Sequence, residues 1–331
     1  MILSLLSSQS KTSGLLQLLG IVCLGLILSC SSGNPKNANS HKLTCEDFKD
    51  LTKRDLRFSL AKDSYVEGNY EGALITYQEI LEESKREDNL LKSLLTLENI
   101  GLIYLKTGKI KKAKAVFREI QKKNEVLQSL KYTAHNYENL GKVKKQEKKY
   151  EESNQMFKKA LDIYLHCKQY KRLAICLNHL GANYYYQKNY KTSLGYFIKS
   201  IRLSRKIDSS VTLSHSLFFI GKIYTSRKNY KKARRYLLAA LKVDKENRRT
   251  LNIAMDLFQL GEVYALQENW EKARHYYERS YEVVKSLGTK NPTARSQYLF
   301  VLNKLIELYQ KTNDQINVEY YKNELAELYK K

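Results

Sequence analysis

Five glycines stand forty residues apart: Gly101, Gly141, Gly181, Gly221 and Gly261, with Ala61 forty residues before the first. The spacing holds in several registers at once. Twelve positions after each small residue come Ala73, Ala113, Ser153, Ser193, Ala233 and Ala273. Nine after come Tyr70, Ile110, Tyr150, Tyr190, Tyr230 and Trp270; sixteen after come Tyr77, Phe117, Phe157, Phe197, Leu237 and Tyr277. Three after the glycines come Tyr104, Tyr184, Tyr224 and Tyr264, with Lys144 the exception. A fixed period of this size means an array. Each period is one unit too small to bury its own apolar face, and stacking makes the core continuous.

The unit reads as a helix pair. A small residue in the first helix lets a second helix cross closely, a small residue in the second accepts the approach, and aromatics fill the space around the crossing. Polar stretches such as KTGK at 106–109, and RKN and QEN in later copies, are turns. With only 2 Pro and 14 Gly in 331 residues, 43% of them apolar, the chain is expected to be all-α rather than β-rich.

The small-x-x-Tyr, Ala and Tyr/Phe pattern resembles the tetratricopeptide repeat from about Arg54 to the C-terminus. That resemblance implies an α-solenoid of stacked antiparallel helix pairs, wound as a right-handed superhelix. The family's common period is about 34 residues, so a period of forty implies longer helices or longer links. Six pairs are expected over residues 46–286, and LGTKNPT at 287–293 interrupts the ruler. A degenerate seventh pair, its helices at 302–310 and 318–328, would cap the stack within 287–331.

Residues 15–28 are fourteen in number and almost all apolar. They fall short of the roughly 20 needed to cross a bilayer as a helix and suit the apolar core of an export signal. Ile27-Leu28-Ser29-Cys30 resembles a bacterial lipobox, relaxed at Leu28 as spirochaetal lipoboxes are. The resemblance implies cleavage after residue 29 and a lipoprotein whose Cys30 carries acyl chains, palmitate among them. Residues 30–45 would be a flexible polar tether. An uncleaved short anchor and an unacylated secretory signal are the other readings. The expected location is the cell membrane or outer membrane, on the periplasmic or surface side.

In the tetratricopeptide family the first helix of each pair lines a concave groove. Carrying its ligand-facing positions over names Glu138 and Lys142 in the third copy, Asn178 and Tyr185 in the fourth, His215, Phe218 and Lys222 in the fifth, and Phe258 and Glu262 in the sixth. Aromatic anchors ringed by polar groups suit a peptide or helix. Phe218 and Phe258 could equally pack within their own superhelix, and single lysines could be plain solvated surface. The two-carboxylate clamp of some family members is incomplete here, since Asn178 and Lys222 match it only loosely.

No motif carries catalysis, a metal or a cofactor. There is no HExxH, GxxxxGK[ST] or GxSxG, and the six histidines have no ligand-like spacing. Lys and Arg number 58 against 34 Asp and Glu, a net +24, but the basic residues are scattered through 109–114, 142–149 and 231–235 rather than gathered as nucleic-acid binding requires. Cys45, Cys167 and Cys176 are expected as buried thiols. The expectation is a non-enzymatic, lipid-anchored scaffold or adaptor that binds an unidentified protein or peptide at the envelope. The alternatives are an accessory protein delivering a ligand to an envelope transporter, or a surface adhesin.

Overall fold

A computed structural model describes residues 55–288 and 291–330. Cys30, the apolar N-terminal run and the tether lie outside these residues. The described chain is fourteen helices. The first seven are α1 Leu56–Glu67, α2 Tyr70–Arg86, α3 Leu90–Lys106, α4 Ile110–Leu127, α5 Leu130–Gln146, α6 Tyr150–His166 and α7 Tyr170–Tyr186. The others are α8 Tyr190–Lys206, α9 Ser210–Ser226, α10 Tyr230–Glu246, α11 Thr250–Ala265, α12 Trp270–Leu287, α13 Pro292–Lys311 and α14 Gln315–Lys330. Odd and even helices pair antiparallel, and the pairs stack into an all-α solenoid. No helix among the described residues is long and apolar enough to cross a membrane.

The forty-residue ruler divides in two. Most helices are 17 residues long and most links three, so helix starts recur every twenty positions. The links from α5 through to α12 each turn on one left-handed residue, and these too recur every twenty: Lys148, Lys168, Lys188, Asp208, Lys228, Arg248 and Glu268 have φ between 51° and 60°. The long period therefore comes from longer helices. Asn69, Asn89, Asn189, Asn229 and Asn269 cap the helices that follow, each accepting from a backbone N–H three residues on. Lys109, Lys149, Gln169 and Arg249 hold the same position with no side-chain cap.

The glycine column works by contact. A Cβ on Gly181 would stand 2.8 Å from the Phe197 ring, and one on Gly101 2.5 Å from that of Phe117. The aromatic sixteen positions on thus lies directly against the glycine. Where serine replaces alanine twelve positions on, it adds a bond: Ser153 and Ser193 donate to the carbonyls of Gly141 and Gly181, both at 2.7 Å. The tyrosine column stacks across three of the pairs, Tyr184 on Tyr196, Tyr224 on Tyr236 and Tyr264 on Tyr276, all with centroids 5.5 Å apart and planes within 13°.

The last pair differs from expectation. Helix α13 begins at Pro292, ten residues before the predicted start, because Asn291 caps the N–H groups of Thr293 and Ala294 and proline suits the first helical turn. The interruption thus holds its own helix-start signal. Tyr281 and Val284 of α12 pack on Val301, Leu302 and Leu305 of α13 and on Val318 and Tyr321 of α14 in one buried cluster. Cys176 is a buried free thiol, whereas Cys167 is disulfide-bonded rather than a thiol. One contact spans the solenoid: Lys106 Nζ, ending α3, donates to Thr293 Oγ1, opening α13, at 2.8 Å.

Candidate ligand groove

Between the second and fourth pairs, the first helices bury two carboxylates. Glu98 lies 3.2 Å from His135 Nδ1 and accepts from Asn139 Nδ2 at 3.3 Å. Burial pushes its carboxyl up, but His135 beside it and Arg172 beyond hold it down at about 2. Glu138 is 1% exposed. It pairs with Lys142 at 2.6 Å, accepts from the Tyr164 hydroxyl at 2.9 Å and meets Arg172 at 3.4 Å. Against the cost of burial, Lys142, Arg172 and His179 keep it well below the usual carboxylate range.

Asn178 is buried and committed to the next repeat. Its Nδ2 donates to the Thr212 carbonyl at 3.0 Å, and its Oδ1 accepts from Ser216 at 2.5 Å. Tyr185 and Lys222 meet, with the ammonium 5.3 Å from the Tyr185 ring centroid and 5.6 Å from those of Phe218 and Phe219. Burial lowers the Lys222 pKa while Glu262 opposes the shift. Glu262 accepts from the Tyr277 hydroxyl. Lys145 sits 5.6 Å over the Tyr186 ring and is pulled to about 8 by burial.

Phe218 and Phe258 are half-buried, and each leaves part of its ring on a cavity of about 310 Å³. Its walls come from α7, α9, α10, α11 and α13, with Tyr186, Phe219, Met255 and Phe300 adding apolar surface and His215 and Lys222 polar groups. Burial, reinforced by the Lys145 charge, pushes the His215 imidazole down to about 4. Five predicted residues, Tyr185, His215, Phe218, Lys222 and Phe258, are therefore gathered at or beside one hollow. Glu138 and Asn178 face inward to partners of their own.

The sequence reading missed the deeper end of that hollow. Asp244 and Asp256 line it, 2% and 1% exposed. Arg249 binds Asp244 through Nε and also reaches Ser210 and Ser214. Asp256 has its pKa raised to about 9 by burial, with the Asp244 charge adding to the effect. Gln297 and Phe300 come from α13, whose start was placed too late to expose them. Among the described residues no group of three or more His, Cys, Asp or Glu could hold a metal ion.

Tetratricopeptide-repeat families match at residues 96–122, 134–167, 172–246 and 257–290, covering most of the helix pairs just described. The chain is a tetratricopeptide-repeat protein. No curated protein matches its sequence. Solved structures are similar in fold. NprR in complex with its cognate peptide NprX is 14% identical with a TM-score of 0.60, over 93% of this repeat protein and 83% of that chain. A Rap protein complexed with Competence and Sporulation Factor is 14% identical with a TM-score of 0.59, over 86% and 88%. A signal transduction ATPase with a tetratricopeptide repeat sensor from Pyrococcus horikoshii is 16% identical with a TM-score of 0.61, over 82% of this repeat protein but only 41% of that chain.

Proposed function

We propose that this tetratricopeptide-repeat protein is a scaffold that holds a peptide or helix of a partner protein against the first helices of its pairs. The observation that carries the reading is the exposed ring surface of Phe218 and Phe258 on the cavity. Aromatic side chains half inside a core and half on a hollow, next to a desolvated lysine, have the make-up of an interface anchor site. Lys222 and Lys142 give the rim positive charge, and Glu262 a point of opposite sign. In this reading Glu138 and Asn178 set the rim from beneath, Glu138 by holding Lys142 and Asn178 by tying α7 to α9. The NprR structure, solved with its peptide, supports a peptide as the class of ligand.

The same proposal places the scaffold at the cell envelope, held by acyl chains on Cys30. The support is the lipobox-like ILSC and the apolar run before it. Two acyl chains give durable attachment where one is marginal.

The test is affinity purification from gently solubilised native membranes, with mass spectrometry of the bait's N-terminal peptide and of its partners. A Phe218→Ala/Lys222→Ala bait runs alongside, its helical content checked by circular dichroism. A partner captured by the parent and lost from the folded variant is expected. Equal capture by both would move the site off the groove. A Cys30 found unmodified inside a longer peptide would remove the envelope assignment.

A further inference from the structure

Cys167 ends α6 and is joined in a disulfide. The bond needs a second sulfur, and the sequence has five cysteines: Cys23, Cys30, Cys45, Cys167 and Cys176. Cys176 is a buried free thiol and takes no part. The partner therefore stands before Asp55, outside the described residues, where the other three cysteines fall. Leu43–Lys331 form one compact unit and Met1–Lys42 another. Cys45 belongs to the unit that holds Cys167, whereas Cys23 and Cys30 belong to the other.

Reach agrees with that choice. Because the helices alternate in direction, every odd-numbered helix starts at one end of the stack, and every link from an even helix to the next odd one lies at that end. Cys167 sits in such a link, between α6 and α7, and α1 starts at the same end. Cys45 precedes Asp55 by ten residues, a length of chain that spans up to roughly 33–36 Å. That is about three helix diameters, and α1 and α7 are three repeats apart. The first pair is also the one most in need of a tie. Leu60 shares its column with Ile100, Leu180, Ile220 and Leu260, which are at most 4% exposed, yet it is 63% exposed itself. Leu56, one turn earlier, is 78% exposed. Among the described residues no pair stands before α1, whereas α13 and α14 close the other end. An array of this kind frays from an uncovered end, since each pair rests only on its neighbours.

We propose that Cys45 and Cys167 form a disulfide that ties the start of the chain to the link between the third and fourth pairs and so pins the uncovered end of the solenoid. The bond forms by exchange with an oxidant that is itself a disulfide, such as oxidised glutathione or a disulfide oxidoreductase. One thiolate attacks a sulfur of the oxidant, and the second displaces the oxidant from the mixed disulfide. The two cysteines lose two protons and two electrons, and the oxidant leaves as two thiols. The loop closed in this way runs through three helix pairs, and long loops gain most from a cross-link, chiefly by restricting the unfolded chain. Disulfides persist outside the reducing cytosol, which suits a chain that carries an export signal. The inference goes beyond the groove reading and shares with the envelope reading only the need for export. It leaves Cys30 out of the pairing and open to acylation. With Cys30 acylated, the body would be moored to the membrane at its third pair and not at its first helix.

The full chain in native membranes is alkylated with N-ethylmaleimide, digested with trypsin without reductant and read by mass spectrometry. The expected product joins peptides 43–49 and 160–168, which hold Cys45 and Cys167, and reduction separates them. Cys45→Ser and Cys167→Ser should each speed hydrogen exchange through α1 to α4 at least about fivefold and leave α11 to α14 unchanged. Reduction of the parent should do the same, so the result does not depend on how the variants fold. Peptide 160–168 carrying the maleimide without reduction would overturn the proposal, as would exchange in α1 to α4 that ignores reduction. Cys167 joined to a second copy, seen as a covalent dimer on non-reducing electrophoresis, would overturn it too. Cys167 joined to Cys30 would overturn both this bond and the anchor. The expected pair of peptides together with an unacylated Cys30 would uphold the bond and remove the anchor alone.

Discussion

Asp256 stands in a column of the repeat that is otherwise neutral: Thr96, Asn136, Cys176 and Ser216 hold the same register, all of them buried. Asp244 does likewise in the second helix, where Ser84, Asn124, Tyr164 and Ser204 precede it. An acid entering a buried neutral column was the signal in the sequence for this site. With burial and Asp244 raising the Asp256 pKa from 3.8 to about 9, the folded chain keeps a proton that the unfolded chain gives up. The stabilisation is therefore complete below the unfolded value and is lost as pH rises towards the folded one. Each pH unit in that window removes up to about 1.4 kcal/mol. Urea unfolding of the parent and of Asp256→Asn, from about pH 5 to about pH 8, should show the variant gaining on the parent as pH rises. Parallel profiles would mean that Asp256 is already ionised. Gly181 makes a steric case of the same kind. Gly181→Ala would put a methyl 2.8 Å from the Phe197 ring, and overpacking of this sort costs about 1–3 kcal/mol. The usual helix gain from alanine, about 1 kcal/mol, offsets only part of it. Thermal and denaturant melts should show a net loss.

At the scale of the helix, two weak points recur because the links are copies of one another. Lys149 sits where five other links have a capping asparagine, and it makes no cap. Lys149→Asn should add about 1 kcal/mol of stability, read as a raised urea midpoint at constant slope. Lys188 holds a left-handed backbone at φ 60°, a conformation that costs a residue with a Cβ about 1–2 kcal/mol. Lys188→Gly relieves that strain, against some loss of chain entropy on folding. The helix pairs themselves were legible, because a glycine facing an aromatic ring sixteen positions on leaves its mark in several registers. The left-handed links were hidden, since Lys, Arg, Asp and Glu adopt that conformation without announcing it. The early start of α13 was missed for a different reason. The dense apolar run sets in only around the expected start at Leu302, while the cap that starts the helix is the polar Asn-Pro-Thr before it. Groove positions could be carried over by register, but not their burial. Glu138 meets Arg172 34 positions away, and Asn178 meets Ser216 38 positions away. A repeat pattern records what each unit shares, and these partners are particular to one junction.

Over the whole molecule, the stack ends in a cluster that only the last pair completes. Deleting residues 291–331 would uncover Tyr281 and Val284, 2% and 0% exposed in the intact chain. Burying one large apolar side chain contributes about 1.5–3 kcal/mol, so the truncated chain should lose at least about 3 kcal/mol. Hydrogen exchange should then show α12 opening first, because each pair rests only on its neighbours. A truncated chain with α12 still protected would show that the seventh pair is dispensable. At the other extreme of length is a single exposed hydrogen bond, from Lys106 to Thr293 across 187 positions. It is weak, as lone surface contacts are. A latch that costs about 1 kcal/mol or less to lift stands open in a fair share of molecules at any moment, so it marks where two distant helices meet and locks nothing in place.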